Sequence, residues 1–174
     1  MRILGIDPGI GICGFGLIET AGFSNSRVLD FGAVTTKVDA PMPSRLEELY
    51  DSLKEVFRQT KPEIVAVEKL FFSKNITTGI AVAEARGIVL LVAEQNNLPV
   101  YEYSPNEIKK ALTGYGAASK AQMQEMVRVT LELDKKPKPD DAADALAAAI
   151  TCGYLYKTGE TGGEYKFSNN RKMV

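Results

Sequence analysis

Four carboxylates stand out by their positions. Asp7 closes the apolar run "ILGID", Glu68 closes "IVAVE", and Asp141 and Asp144 lie in "DDAADALAAAI". The two short runs are apolar and β-branched, so each reads as a buried strand with an acid at its tip. Asp141 and Asp144 are three apart and share a helix face; Asp140 and Asp144, four apart, share one too. Carboxylates gathered at one place repel one another, and burial raises their pKa values further. Hard cations relieve both effects. Mg²⁺ prefers carboxylate oxygen and keeps water ligands, and two such ions about 3.5–4 Å apart can clamp an in-line phosphoryl displacement. Each acid also has a plainer reading. Asp-Pro-Gly is ordinary turn chemistry, and Asp140 and Asp141 suit the start of a helix. Asp144 differs, because its neighbours are almost wholly apolar and a buried unpaired carboxylate is costly there.

The residue types that are missing narrow the chemistry. There is no histidine among the 174 residues. That excludes His-ligated zinc and Ser-His-Asp or Cys-His machinery. Cys13 and Cys152 are far apart and in no CxxC pair, which argues against a disulfide framework and fits a reducing cytoplasm. No apolar run is long enough for a membrane span, and no signal peptide opens the chain. Hydrophobic residues make up 45% and charged residues 25% of the sequence, as in a soluble globular protein. The net charge of −1 does not identify a nucleic-acid protein.

The elements that must place these acids follow from periodicity. Strands are expected at 2–7, 12–19, 27–36, 64–68 and 99–104. Helices are expected at 45–59, 77–95, 105–112, 119–132 and 140–154. Ser44 and Glu47 read as a capping box for the first helix, and Lys61-Pro62 as its stop. Three early strands followed by alternating helices and strands predict an α/β domain over 1–156, with a five-stranded mixed sheet and helices on both faces. The polar stretch 157–174 reads as a mobile tail. The helix 77–95 carries a small-residue ridge of Gly79, Ala83 and Gly87 beside apolar Ile80, Ile88 and Leu91, a candidate interface between two copies.

"ILGIDPG…GFGLIE", "AVEKLFFSKN", "AEARG" and "DDAADALAAAI" together resemble the RuvC family of bacterial Holliday junction resolvases. The likeness runs from Met1 to about Ile150. It implies an RNase H-like fold and a homodimeric, Mg²⁺-dependent endonuclease. Such an enzyme places paired symmetric nicks in four-way junction DNA, in recombination and repair, and leaves ligatable 5′-phosphate and 3′-hydroxyl ends. It implies two metal ions per subunit, with Mn²⁺ as a substitute. The carboxylate tetrad carries over as Asp7, Glu68, Asp141 and Asp144; the family's D-A-A-D spacing favours Asp141 and leaves Asp140 as a cap. Lys120 matches a lysine near the scissile phosphate and Lys109 another that lies towards DNA. Phe71 matches a base-stacking aromatic. Phe71 and Phe72, with Lys69 and Lys74 beside them, make a plausible stacking platform with phosphate contacts. Tyr115, between two glycines, is a further candidate for insertion at the junction. RuvA and RuvB are implied as partners.

Two other functions stay open from the residues alone. One is an RNase H-like nuclease acting on RNA or an RNA–DNA hybrid, which would share the metals but not the junction preference. The other is a nucleic-acid-binding module without catalysis, in which the acids are structural.

Overall fold

Alternation along the strands decides which layer each side chain enters. The computed structural model describes residues 1–21, 25–70, 76–158 and 163–165. Strands β1 (Arg2–Asp7), β2 (Ile12–Thr20) and β3 (Ser26–Thr35) form an antiparallel meander, and β4 (Ile64–Glu68) and β5 (Val100–Tyr103) run parallel to β1. A sixth strand, β6 (Gly163–Tyr165), pairs antiparallel with β5 at the edge. The sheet order is β3-β2-β1-β4-β5-β6. The five expected strands are all present. The sixth comes from the stretch read as a tail, where a three-residue strand is too short to leave a periodic signal.

Helices cover both faces, as expected for this α/β, RNase H-like arrangement. Leu4, Ile6, Leu17, Val65 and Val67 point to one side and pack under α1 (Met42–Thr60) and α2 (Ile76–Gln95). Ile3, Ile18, Ile64 and Ala66 point to the other, under α3 (Pro105–Thr113), α4 (Lys120–Thr130) and α5 (Asp140–Thr158). Each fully buried Val, Leu or Ile on these layers contributes about 2 kcal/mol.

The start of α1 corrects one expectation. Pro41 occupies the N-cap, no side chain caps the helix, and Ser44 lies inside its first turn. Pro41 and Pro43 fix φ near the helical value, so the helix begins before the serine. The stop is as expected: Lys61 takes a left-handed conformation, φ 45°, and its N–H bonds to the Phe57 carbonyl at 2.9 Å. Reciprocal capping boxes occur elsewhere, at Ser104/Glu107 on α3 and Ser119/Gln122 on α4.

Helix α5 is the central element of its layer. Ala142, Ala143 and Ala145 to Ile150 are all buried. Its backbone lies directly on a glycine strip formed by β1 and β2. A methyl carbon on Gly5 would overlap the Ala145 carbonyl and sit 2.9 Å from the Ala149 nitrogen. One on Gly14 would overlap the Asp141 carbonyl, and one on Gly16 would lie 2.5 Å from Leu146 Cγ. Gly14 is paired with Asp7 across the β1–β2 ladder. The absence of a side chain there is what lets the first turn of α5 settle over the end of β1.

Gly14→Ala is therefore expected to destabilise the fold by about 3 kcal/mol, since the colliding atoms are backbone and cannot rotate away. Denaturant unfolding checks this; a loss below about 0.5 kcal/mol, the range of neutral surface changes, would contradict the close approach.

Candidate active site

The strand ends set the first pair of acids. Ile6 is registered with Val67 across the parallel β1–β4 ladder, so Asp7 and Glu68 emerge side by side from adjacent strands. By alternation both fall on the α5 face, in phase with Ile3, Gly5, Ile64 and Ala66. Helix α5, seated on the glycine strip, brings Asp141 and Asp144 to the same place. All four acids are half-buried.

Their electrostatics show the grouping. Burial, then the charges of Glu68, Asp144 and Asp141, push the Asp7 carboxyl up to about 7, and only the Lys120 ammonium opposes them. Glu68 is also raised, by burial first and then by Asp144, against the pull of Lys120 and Lys109. Lys120, at the start of α4, donates to Asp144 Oδ2 at 2.9 Å. That bond, with Asp140 and Asp141 nearby, raises the lysine above its ordinary value.

Glu68, Asp144, Lys109 and Lys120 line a cleft of about 230 Å³ whose apolar wall includes Ile108 and Met123. Helices α3 and α4 thus supply the basic side of the cleft, and β4 and α5 the acidic side. Asp140 has a partner of its own. Its carboxylate takes Lys138 Nζ at 2.9 Å, which holds it below the usual carboxylate range. It is therefore an ion-pair partner at the helix start, outside the acidic group.

The donor chemistry fits a hard divalent cation. The acids present only oxygen, one of them is driven towards protonation by burial and its neighbours, and two lysines, Lys120 and Lys109, offset them only in part. Among the described residues no three acids are gathered closely enough to hold a metal ion as they stand, and Lys120 is bonded to Asp144. The cysteines offer no alternative chemistry. Both are free and buried, and burial pushes the Cys13 thiol up to about 12, far from a reactive thiolate.

The other expected residues are distributed unevenly. Lys69 sits beyond β4, its N–H bonded to the Tyr103 carbonyl at 2.8 Å. Its ammonium neighbours Glu107, where, against burial, the Ser104 hydrogen bonds and Lys69 hold the carboxyl low. Lys69 thus acts on Glu107 at the start of α3, and not on Asp7 or Glu68. Phe71, Phe72 and Lys74 lie outside the described residues. Tyr115 is 63% exposed on the loop between α3 and α4.

Two features had no sequence signal. A partly buried ion pair, Arg86 Nε to Glu102 Oε1 at 2.6 Å, ties α2 to β5. A second group braces the turn after Asp7. The Thr36 hydroxyl donates to the Ile10 carbonyl, the Thr36 N–H donates to the Gly11 carbonyl at 3.2 Å, and Arg45 Nε donates to Thr36 Oγ1 at 3.0 Å. The partners come from three separate segments, so no local spacing could reveal them.

The family model for crossover junction endodeoxyribonuclease RuvC matches residues 3–152. The chain is similar to the crossover junction endodeoxyribonuclease RuvC of Chloroflexus aggregans, 50% identical over 158 residues, covering 91% of this chain and 96% of that one. Its likeness to the protein of that description from Brevibacillus brevis is 48% over 151 residues, covering 87% and 90% of the two chains. Among solved structures, T. thermophilus RuvC in complex with Holliday junction substrate superposes with a TM-score of 0.88 at 36% identity, covering 93% of this chain and 98% of that one.

The raised Asp7 sets a pH dependence for the metal-free protein. Its carboxyl titrates near 4 when unfolded and at about 7 when folded. The folded state binds the extra proton between those values, so stability falls as pH rises from 4 to 7. Asp7→Asn removes the penalty. At pH 8 in chelator its thermal midpoint should exceed wild type by about 10 °C, converging at pH 4. Equal midpoints at pH 8 would contradict the repulsion.

Proposed function

The chain belongs to the crossover junction endodeoxyribonuclease RuvC family, and from that premise we propose that Asp7, Glu68, Asp141 and Asp144 form the metal-holding and catalytic group with which it resolves four-way DNA junctions. The observation that carries this is the common electrostatic field of the four acids, which pushes Asp7 to about 7. An RNase H-like nuclease of RNA or hybrid is not favoured, given family matches over most of the chain.

Divalent metal dependence comes with the family. The finer proposal is two Mg²⁺ per subunit, replaceable by Mn²⁺, held by the four carboxylates. When bound, such ions polarise the scissile phosphodiester and lower the pKa of the attacking water. The chain's own groups do the rest. Strand-borne Asp7 and Glu68 fix the acidic wall, and α5 closes it with Asp141 and Asp144. Lys120 leaves Asp144 to the cation and turns its ammonium towards the phosphate, where it balances developing negative charge. Lys109, across the same cleft, holds the strand by its backbone. The products are a 5′-phosphate and a 3′-hydroxyl. Phe71 is proposed as the base-stacking residue, with Lys69 and Lys74 as flanking phosphate contacts and Tyr115 as a second aromatic at the junction.

Two symmetric nicks call for two sites, so a homodimer is proposed. Its support is the outer face of α2. Ile80 is 53% and Leu91 45% exposed, and Gly87 between them has nothing within 4 Å of its absent side chain. Ile88 and Leu91 continue into a shallow groove with Leu46 and Tyr50 of α1. RuvA and RuvB are the proposed partners that deliver the junction. The cytoplasm is the proposed compartment; no helix among the described residues is long and apolar enough to cross a membrane, and two free buried cysteines suit a reducing medium.

A labelled four-way junction, a linear duplex and an RNA–DNA hybrid, each incubated with protein and Mg²⁺, test the activity. Paired, ligatable nicks in the junction alone are expected; cleavage of the hybrid alone would overturn the assignment. Light scattering tests the assembly. Wild type should be a dimer at micromolar concentration, and Leu91→Glu a monomer that has lost paired nicking. A monomeric wild type with full junction cleavage would refute the dimer.

A further inference from the structure

The turn that follows Asp7 leaves an outer face with almost nothing on it. The nearest group to the place of a Gly11 side chain is Arg45 Nη2, 3.6 Å away. Arg45 stands near the start of α1, at the same end of the sheet as Asp7 and Glu68. Its Nε is held by Thr36 Oγ1 at 3.0 Å, and Thr36 is itself bonded to Ile10 and Gly11. The guanidinium is therefore fixed relative to the turn by one N–H, and its two Nη groups are not used in that bond.

Nothing acidic competes for it. Among the described residues Arg45 has no ion pair with a carboxylate, and the first turn of α1 contains no acid. Glu48, three residues on and within helical reach, instead accepts from the Lys37 N–H at 3.3 Å. A brace for the turn would need only the single Thr36 bond, which an uncharged side chain can also make. A half-buried arginine without a counter-ion, beside a bare glycine, is instead arranged for an incoming anion. Its planar fork matches two phosphate oxygens. The apolar turn serves the same end: Gly11 and the 45%-exposed Ile12 place neither a carboxylate nor a polar competitor in front of it.

We propose that Arg45 binds a backbone phosphate of the DNA strand that passes the acidic group, one contact per subunit, through its two Nη groups over Gly11. The proposal rests on the nuclease reading of the site.

The test is junction binding in Ca²⁺ by wild type, R45Q, R45A and R45K as salt is raised from 50 to 200 mM. One phosphate contact contributes a log–log salt slope of about 0.9. R45Q and R45A should each lower the slope by about that amount per subunit, so their deficit against wild type shrinks about threefold per subunit across the range. R45K should keep the slope, since it keeps the charge. Whichever charge-removing variant remains folded by thermal unfolding decides the matter. A wild-type slope in that variant, or a slope equally lowered in R45K, would overturn the phosphate contact and leave Arg45 a brace. Wild-type protein that binds no junction would instead refute the nuclease reading.

Discussion

The close seating of α5 on the glycine strip of β1 and β2 governs the site. Strands alone would leave Asp7 and Glu68 as two acids at the ends of adjacent strands. The helix adds Asp141 and Asp144 only because its backbone reaches the sheet at Gly5, Gly14 and Gly16. A helix held off by even one layer of methyl groups would carry its acids away by more than an ångström. Misplacement on that scale can cost about a hundredfold in rate. The run of buried alanines serves the same purpose from the helix side, since small residues let the backbones approach.

That geometry has an electrostatic consequence. Glu68, Asp141 and Asp144 lie within electrostatic reach of Asp7, all four half-buried, and Lys120 is the ammonium bonded to one of them. The arrangement opposes stability in the metal-free protein and favours binding of hard cations and, through them, of phosphate. Rigid neighbours sustain it: both strand acids grow from β1 and β4, the central strands of a six-stranded sheet, whose side chains are buried on both faces. The strained chemistry thus sits on the least deformable part of the molecule.

Much of this was legible in the sequence because it depends on local periodicity. "IVAVE" and "ILGID" declare buried strands, and their terminal acids can be paired once the strands are known to be parallel neighbours. Asp144 declares itself as a charge within an alanine helix. What was not legible depends on tertiary contact. The glycines read as turn and strand glycines until α5 is laid on them. Ser44 and Glu47 have the spacing of a capping box, yet two prolines start the helix earlier. The Arg45–Thr36 brace joins residues from different segments to a turn far upstream in the chain. The sixth strand was invisible because three residues cannot establish alternation. Asp140 and Asp141 are a clear case: spacing allowed both, and only the tertiary structure shows that Asp140 bonds Lys138 while Asp141 acts on Asp7.

The single-turnover rate of junction cleavage across a carboxylate series tests the account most directly. Asp7→Asn, Glu68→Gln, Asp141→Asn and Asp144→Asn should each lose at least about a thousandfold, within the scale of removing a principal electrostatic group. Asp140→Asn should stay within a few-fold of wild type. A series in which Asp140→Asn is as damaging as the others, or Asp141→Asn cleaves at the wild-type rate, would contradict the assembly of these four acids by α5.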